Sequence, residues 1–365
     1  MAVSELWAVS MVLAAFAGGA FGAAIGALPS FALTGVVVVV GELYDLVRRT
    51  TDASLGAVDI TGAIGFGVVF GPHVAFGGGA AAAAYAAKRG YLDIEFDYHP
   101  AKEVTQGLGT KPDVLLVGGL FGIFGYWVAT LSATIGLPTD PVALGVVVSA
   151  LTHRLVFGYS LIGAVPGRLF DMSPFERGES RGEARADGGL VGAESTADSS
   201  SGGDDRLAVE PWLPYQYRWP NVVVLGTVVG ILGAYIAYVT GSAFLAFGLC
   251  VVSLVFVNAG VPKIPVTHHM ALPASTAVVA SVDAPLSSLT PVAIASAVPL
   301  SEAVLLGAVF GALGGVLGEV AQRVFYAHAD THLDPPAASI VATSFVIATL
   351  ALVGVLPSAA WVPLP

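Results

Sequence analysis

Three groups of residues in this chain have the types and spacing to do chemistry. The first is a pair of histidines set in breaks of apolar stretches. His73 lies in FGPHVAFGGG, where Pro72 and three glycines interrupt a helix, and His269 lies in PVTHHMALPAS between Pro265 and Pro273, with His268 beside it. An imidazole at a helix break inside a membrane can bind a solute, exchange a proton near neutral pH or ligate a metal.

The second group is acidic. Asp140 and Asp334 are each followed by proline and an apolar run, the pattern of an N-cap with proline at the first helical position. A carboxylate at membrane depth also handles ions, and a helix N-terminus there attracts anionic groups. Asp59, in GAVDITGAIG, is expected inside a helical hairpin.

The third group is His328, Asp330 and His332, alternating in YAHADTHLDPP. In an extended loop alternate side chains face one way, and imidazole with carboxylate suits zinc or another transition metal. With His268 or His269 they would form the centre of a metal-dependent intramembrane enzyme, although the spacing matches no standard zinc motif.

No GxxxxGK[ST] loop, GxGxxG after a strand, GxSxG or HExxH occurs, so neither nucleotide-driven chemistry nor the commonest hydrolases are indicated. The sequence requires no cofactor.

The elements that must position these groups are membrane helices. Hydrophobic residues make up 55% and charged residues 11%, against about a quarter charged in soluble domains. Apolar stretches of crossing length run at 7 to 28, 31 to 47, 113 to 133, 141 to 160, 220 to 240, 243 to 261, 303 to 322 and 335 to 357, and about 20 residues suffice to cross. Two more, 57 to 87 and 262 to 300, are interrupted. Glycine repeats such as GGAFGAAIG from Gly18, GGLFGIFG from Gly118 and GAVFGALGG from Gly307 put small residues on one helix face, letting backbones approach in lipid.

The same signals recur in order. Gly18 and Gly22 match Gly226 and Gly230; Phe31 and Gly35 match Phe244 and Gly248. His73, Ala75 and Phe76 match His269, Ala271 and Leu272. Gly118, Phe121, Gly122 and Gly125 match Gly307, Phe310, Gly311 and Gly314, while Asp140, Pro141, Ala143 and Val146 match Asp334, Pro335, Ala337 and Ile340. The expected fold is an all-α polytopic membrane protein of two tandem homologous bundles, 1–170 and 218–365. Each holds about four transmembrane helices plus a broken or re-entrant hairpin, turning in the first half near Gly71 to His73.

Between them, 171–217 reads as an acidic disordered linker, since Asp171 to Glu210 carries ten acidic residues against four Arg. Lys and Arg total fifteen, and placing nearly all of them inside by the positive-inside rule puts the linker and both termini in the cytoplasm. Each half then has an even number of crossings, which makes the repeats parallel.

The reading that follows is a multi-pass cell-membrane protein, a secondary transporter or channel for a small solute or ion. Its partners are the lipid bilayer and that solute, with self-association left open. No basic stripe with aromatics invites nucleic acid. The alternatives are the metal-dependent enzyme and a structural or assembly protein that docks through its linker.

Overall fold

The computed structural model describes residues 6–51, 55–92, 98–186, 190–191 and 205–365. Helix α1 (Val9–Ile25) turns at Gly26 into α2 (Ala27–Thr50). Gly26 has φ 101°, a region glycine enters without steric cost, so one residue reverses the chain. A π-helical turn at Thr61–Gly65 precedes α3 (Ala75–Lys88), followed by α4 (Pro112–Thr134) and α5 (Pro141–Phe157). A small cap comes next, with β1 (Val165–Pro166), α6 (Ser173–Glu176), α7 (Arg181–Ala186) and β2 (Leu190–Val191), and β1 pairs antiparallel with β2. Then come α8 (Trp219–Thr240), α9 (Leu245–Val252), α10 (Leu254–Asn258), α11 (His268–Ala280), α12 (Pro291–Ala297), α13 (Leu300–Phe325) and α14 (Pro335–Leu352).

Helices α2, α4, α8, α13 and α14 are long and apolar enough to cross a membrane, while α1, α5 and the α9–α10 stretch are apolar but shorter. Their outer faces expose Leu13, Leu120, Val224, Val228, Leu305, Val309 and Phe345. An apolar rim of this extent suits lipid rather than water. The bundle is that of an integral membrane protein. At its centre, every residue of α11 and nearly all of α3 are buried.

Glycine makes the closest packing. Gly118 and Gly122 of α4 meet Gly19 of α1, and a Cβ at Gly78 of α3 would stand 2.6 Å from the Gly118 carbonyl oxygen. Gly226 and Gly230 of α8 cross Gly307 and Gly311 of α13 in the same way. Since lipid supplies no hydrophobic drive between helices, such backbone approach holds them by dispersion.

Two expectations about chain path are corrected. Residues 57–87 are not a re-entrant hairpin. Gly41 faces Thr61, Thr34 Oγ1 donates to the Phe70 carbonyl at 2.6 Å, the rings of Phe31 and Phe76 lie 5.9 Å apart, and Gly79 abuts Ala27. The segment therefore runs antiparallel to α2 as one broken pass. Its irregular stretch around Gly71 and Pro72 is buried in protein, the condition under which non-helical backbone is tolerated at membrane depth.

The second correction follows from the first. One pass in place of a hairpin that starts and ends on one side makes the number of passes in residues 9–157 odd, and the helices that the sequence matching pairs run oppositely. Along α2 and α9, Ser242 Oγ donates to Glu42 at 2.5 Å, while Gly248 meets Val38 and Gly35 meets Val251. Along α5 and α14, the Asp140 amide donates to Ser344 Oγ at 2.9 Å and His153 Nε2 lies 3.0 Å from Thr331 Oγ1. Both pairs are antiparallel, so a parallel repeat is excluded. The chain ends do not share a face with the cap. Trp127 Nε1 donates to the Leu6 carbonyl and Leu364 packs on Gly136, both at the far end of α4 from α3's Lys88, which bonds the Phe157 carbonyl beside the cap.

The described parts of the linker are ordered. Arg181 donates to the His328 carbonyl at 2.9 Å, the Glu210 amide to the Ala327 carbonyl at 2.9 Å, and Gln216 exchanges bonds with Val266. Residues 187–189 and 192–204 lie outside the described residues.

Candidate functional site

Three cavities that share lining residues lie between residues 9–157 and 212–365. The central one, of about 120 Å³, is walled by Phe31, Phe66 and Phe76 from one side and Phe244, Phe247 and Trp361 from the other, with Asp140, Asp334 and His268 among its polar groups. On the cap side it shares Phe31, His268 and Asp334 with a cavity of about 290 Å³ that also includes Lys102, Glu103 and His332. On the far side it shares Phe66 and Phe244 with one of about 490 Å³ holding Glu42, Asp45, Arg48, Arg49 and Asp59. The boundaries are aromatic. Phe66 stands 5.2 Å from Phe244 and 5.7 Å from Phe247, and the His268 ring lies 5.1 Å from Phe31 and 5.6 Å from Phe247.

Positions matched in sequence line this same space. Phe31 and Phe244, Phe76 and Leu272, Asp140 and Asp334, Ala143 and Ala337, and Val146 and Ile340 all line the central cavity. The offset that pairs His73 with His269 pairs Pro72 with His268, and both of these line it too.

The two matched histidines are elsewhere. The His73 carbonyl abuts Gly125 and its Cβ faces Gly145; the His269 carbonyl abuts Gly314, and its ring lies beside Gly318 and 6.2 Å from Trp212. Each is lodged among the helices of its own half. His268 is the one that reaches the shared space, and its Nδ1 is buried without a hydrogen-bond partner among the described residues.

Both aspartates cap helices. Asp140 Oδ1 accepts from the amides of Val142 and Ala143 at 2.8 and 3.2 Å, and Asp334 Oδ2 from that of Ala337 at 2.9 Å. Asp59 is exposed in the far cavity instead of buried, and its carboxylate accepts from the Gly62 amide at 2.7 Å. It sits at the open start of a broken pass, which is why it meets water.

His328, Asp330 and His332 do not converge. His328 Nε2 lies 2.9 Å from the Leu169 carbonyl, Asp330 receives Arg206 at 2.5 Å and Arg181 at 3.5 Å, and His332 sits between the rings of Phe76 and Tyr326. Among the described residues no group of three or more His, Cys, Asp or Glu is placed to hold a metal. The loop coils through the cap rather than extending, so alternation in sequence does not become one face.

Sequence reasoning passed over the buried ion cluster of the cap. Lys102 Nζ and Glu210 Oε2 meet at 2.6 Å, both side chains fully buried, and Arg206 links Glu210 to Asp330. Burial pushes the Lys102 ammonium down to about 8 against the pull of Glu210. Burial works to raise Asp330, but Arg206 and Arg181 overcome it and hold the carboxyl at about 2. Burial likewise lowers His99 and His328 to about 4. Arg154 closes the cap onto the bundle through Thr331 and the carbonyls of Leu161 and Phe325. The cavity phenylalanines were passed over too, though the matched pair Phe31 and Phe244 was their signal.

No curated protein and no solved structure matches the chain. One family model, described as a family of unknown function (DUF7973), matches residues 1–365. With that match spanning its full length, the chain belongs to this family, DUF7973.

Proposed function

We propose that the protein is a secondary transporter or channel for a small solute, built from two related halves of opposite orientation with the path between them. The observation that carries this reading is the series of three cavities sharing walls, from the cap through the aromatic centre to the far face. The relation of the halves is supported by matched contacts at matched positions: a histidine carbonyl on Gly125 and on Gly314, and crossed glycines in α1–α4 and α8–α13. Inverted repeats with broken helices at their interface are a recurrent transporter design.

In this reading each half crosses five times, with α3 and α11 as the short central passes. The cap face carries every Lys and Arg except Arg48 and Arg49, so by charge it is cytoplasmic and both chain ends are outside. Three single cysteines in a Cys250→Ala background, at Thr105, Ala143 and Val58, test the path. In proteoliposomes an impermeant thiol reagent should reach Thr105→Cys from one side only, Val58→Cys from the other only, and Ala143→Cys from at least one. Labelling of Thr105→Cys and Val58→Cys from the same side, or no access to Ala143→Cys, would remove the proposal.

A further inference from the structure

The central cavity has a chemistry of its own. Its walls are mostly aromatic and aliphatic, and the polar exceptions are two carboxylates and one imidazole. The helix N-termini of α5 and α14 would by themselves favour an anion, each acting as about half a positive charge. Here those ends are already filled by Asp140 and Asp334, whose full negative charges exceed the dipoles they cap. The site is therefore electronegative. The imidazole adds a third polar group, because His268, 2% exposed, lines the cavity.

An inorganic cation is poorly served. Calcium and magnesium seek six or more oxygens, whereas this cavity offers two carboxylates, each already accepting backbone amides. Aromatic faces are what it has in excess, and ring faces attract cations within about 6 Å of the ring centre, most strongly where water is excluded. Phe31, Phe66, Phe76, Phe244, Phe247 and Trp361 supply such faces around one small space.

We infer that the central cavity binds a small organic cation, an alkylated ammonium, with Asp334 and Asp140 as counter-charges, the rings as its apolar surround and the His268 imidazole as a polar neighbour. This rests on the proposed path and names its cargo class. Asp334 is placed for hand-over, since it also lines the cap-side cavity, where His332 Nε2 lies 3.6 Å from its Oδ1.

The test is calorimetric titration of the purified full chain with choline, its uncharged carbon isostere 3,3-dimethyl-1-butanol, and the anion 3,3-dimethylbutanoate. Choline should bind at least ten-fold more tightly than the isostere, and the anion not at all. Asp334→Asn should weaken choline at least ten-fold with the fold retained, because asparagine caps a helix as well as aspartate does, and thermal unfolding verifies that retention. Phe66→Leu, which keeps an apolar wall without a ring face, should weaken choline but not the isostere. Equal binding of choline and isostere, preference for the anion, or no binding of any probe would each overturn the inference. If these occur while Ala143→Cys is still reached from a bulk phase, the cation is wrong and the path stands. Choline binding with Ala143→Cys inaccessible leaves the binding site and removes the path.

Discussion

The backbone amide of Asp140 donates to the side chain of Ser344, 204 residues later, at 2.9 Å, and Thr139 Oγ1 lies 3.1 Å from the same hydroxyl. This contact joins the first turn of α5 to the second half of α14 and fixes their opposed directions. Ser344→Ala strands a buried amide, at a cost of about 1 to 3 kcal/mol. The expected result is a lower unfolding temperature in detergent, with faster amide exchange at the start of α5. An unchanged temperature would mean the two halves are held at this seam by packing alone.

Glycine contacts give a sharper contrast. A Cβ at Gly311 would collide with the Gly226 carbonyl, whereas one at Gly56 would meet nothing within 4 Å. Gly311→Val should destabilise by about 3 kcal/mol or more, since overpacking here moves backbone as well as side chains, and Gly56→Ala should change stability by less than about 0.5 kcal/mol. Unfolding curves of the two variants settle the comparison.

Lys102 and Glu210 form a fully buried pair. Lys102→Ala leaves Glu210 to Arg206 at 3.4 Å and to the field of Arg181 and is expected to cost about 3 kcal/mol, the low end of the penalty for removing one partner of a buried pair. The double variant Lys102→Met with Glu210→Leu should recover most of that loss. A double variant as unstable as the single would show that Glu210 matters chiefly through its other partners.

Acid should loosen the cap in two stages. His99 and His328, held at about 4 when folded, take up protons near 6.5 when unfolded. The unfolded state binds more protons between those values, so stability falls as pH drops from about 6.5 to 4. Asp330 is held at about 2; its contribution is complete above about 3.9 and is lost as pH falls towards 2. Amide exchange of residues 205–217 and 326–334 against pH reads this directly, and His328→Gln should flatten the upper stage.

What could be read from the sequence was local. Apolar stretches placed the helices, and Asp followed by Pro marked the two N-caps that α5 and α14 carry. Orientation was not local. Arg48 and Arg49 weighed on the cytoplasmic side in the charge count, yet they bond Asp45 at 2.6 and 2.9 Å and Arg49 also bonds the Leu289 carbonyl at the face opposite the cap. That one assignment forced residues 57–87 to begin and end on the same side. Sequence matching singled out His269 of the adjacent pair, whereas a single helical step, which turns the side chain by about 100°, sends His268 towards the cavity. Composition likewise hid the order of the linker, whose Arg181 and Arg206 are held by Asp330 and Glu210 and whose Met172, Val209 and Tyr217 are buried together with Ala327.

The ring of phenylalanines has one consequence for the cell. Phe66 and Phe244 line both the centre and the far cavity, and Phe31 lines both the centre and the cap-side cavity. Apolar constrictions shed water, so on the proposed path these rings are where a file of hydrogen-bonded water between the two faces would break. A break of that kind would let a transporter of this design stand in an energised membrane without short-circuiting its proton gradient or its voltage.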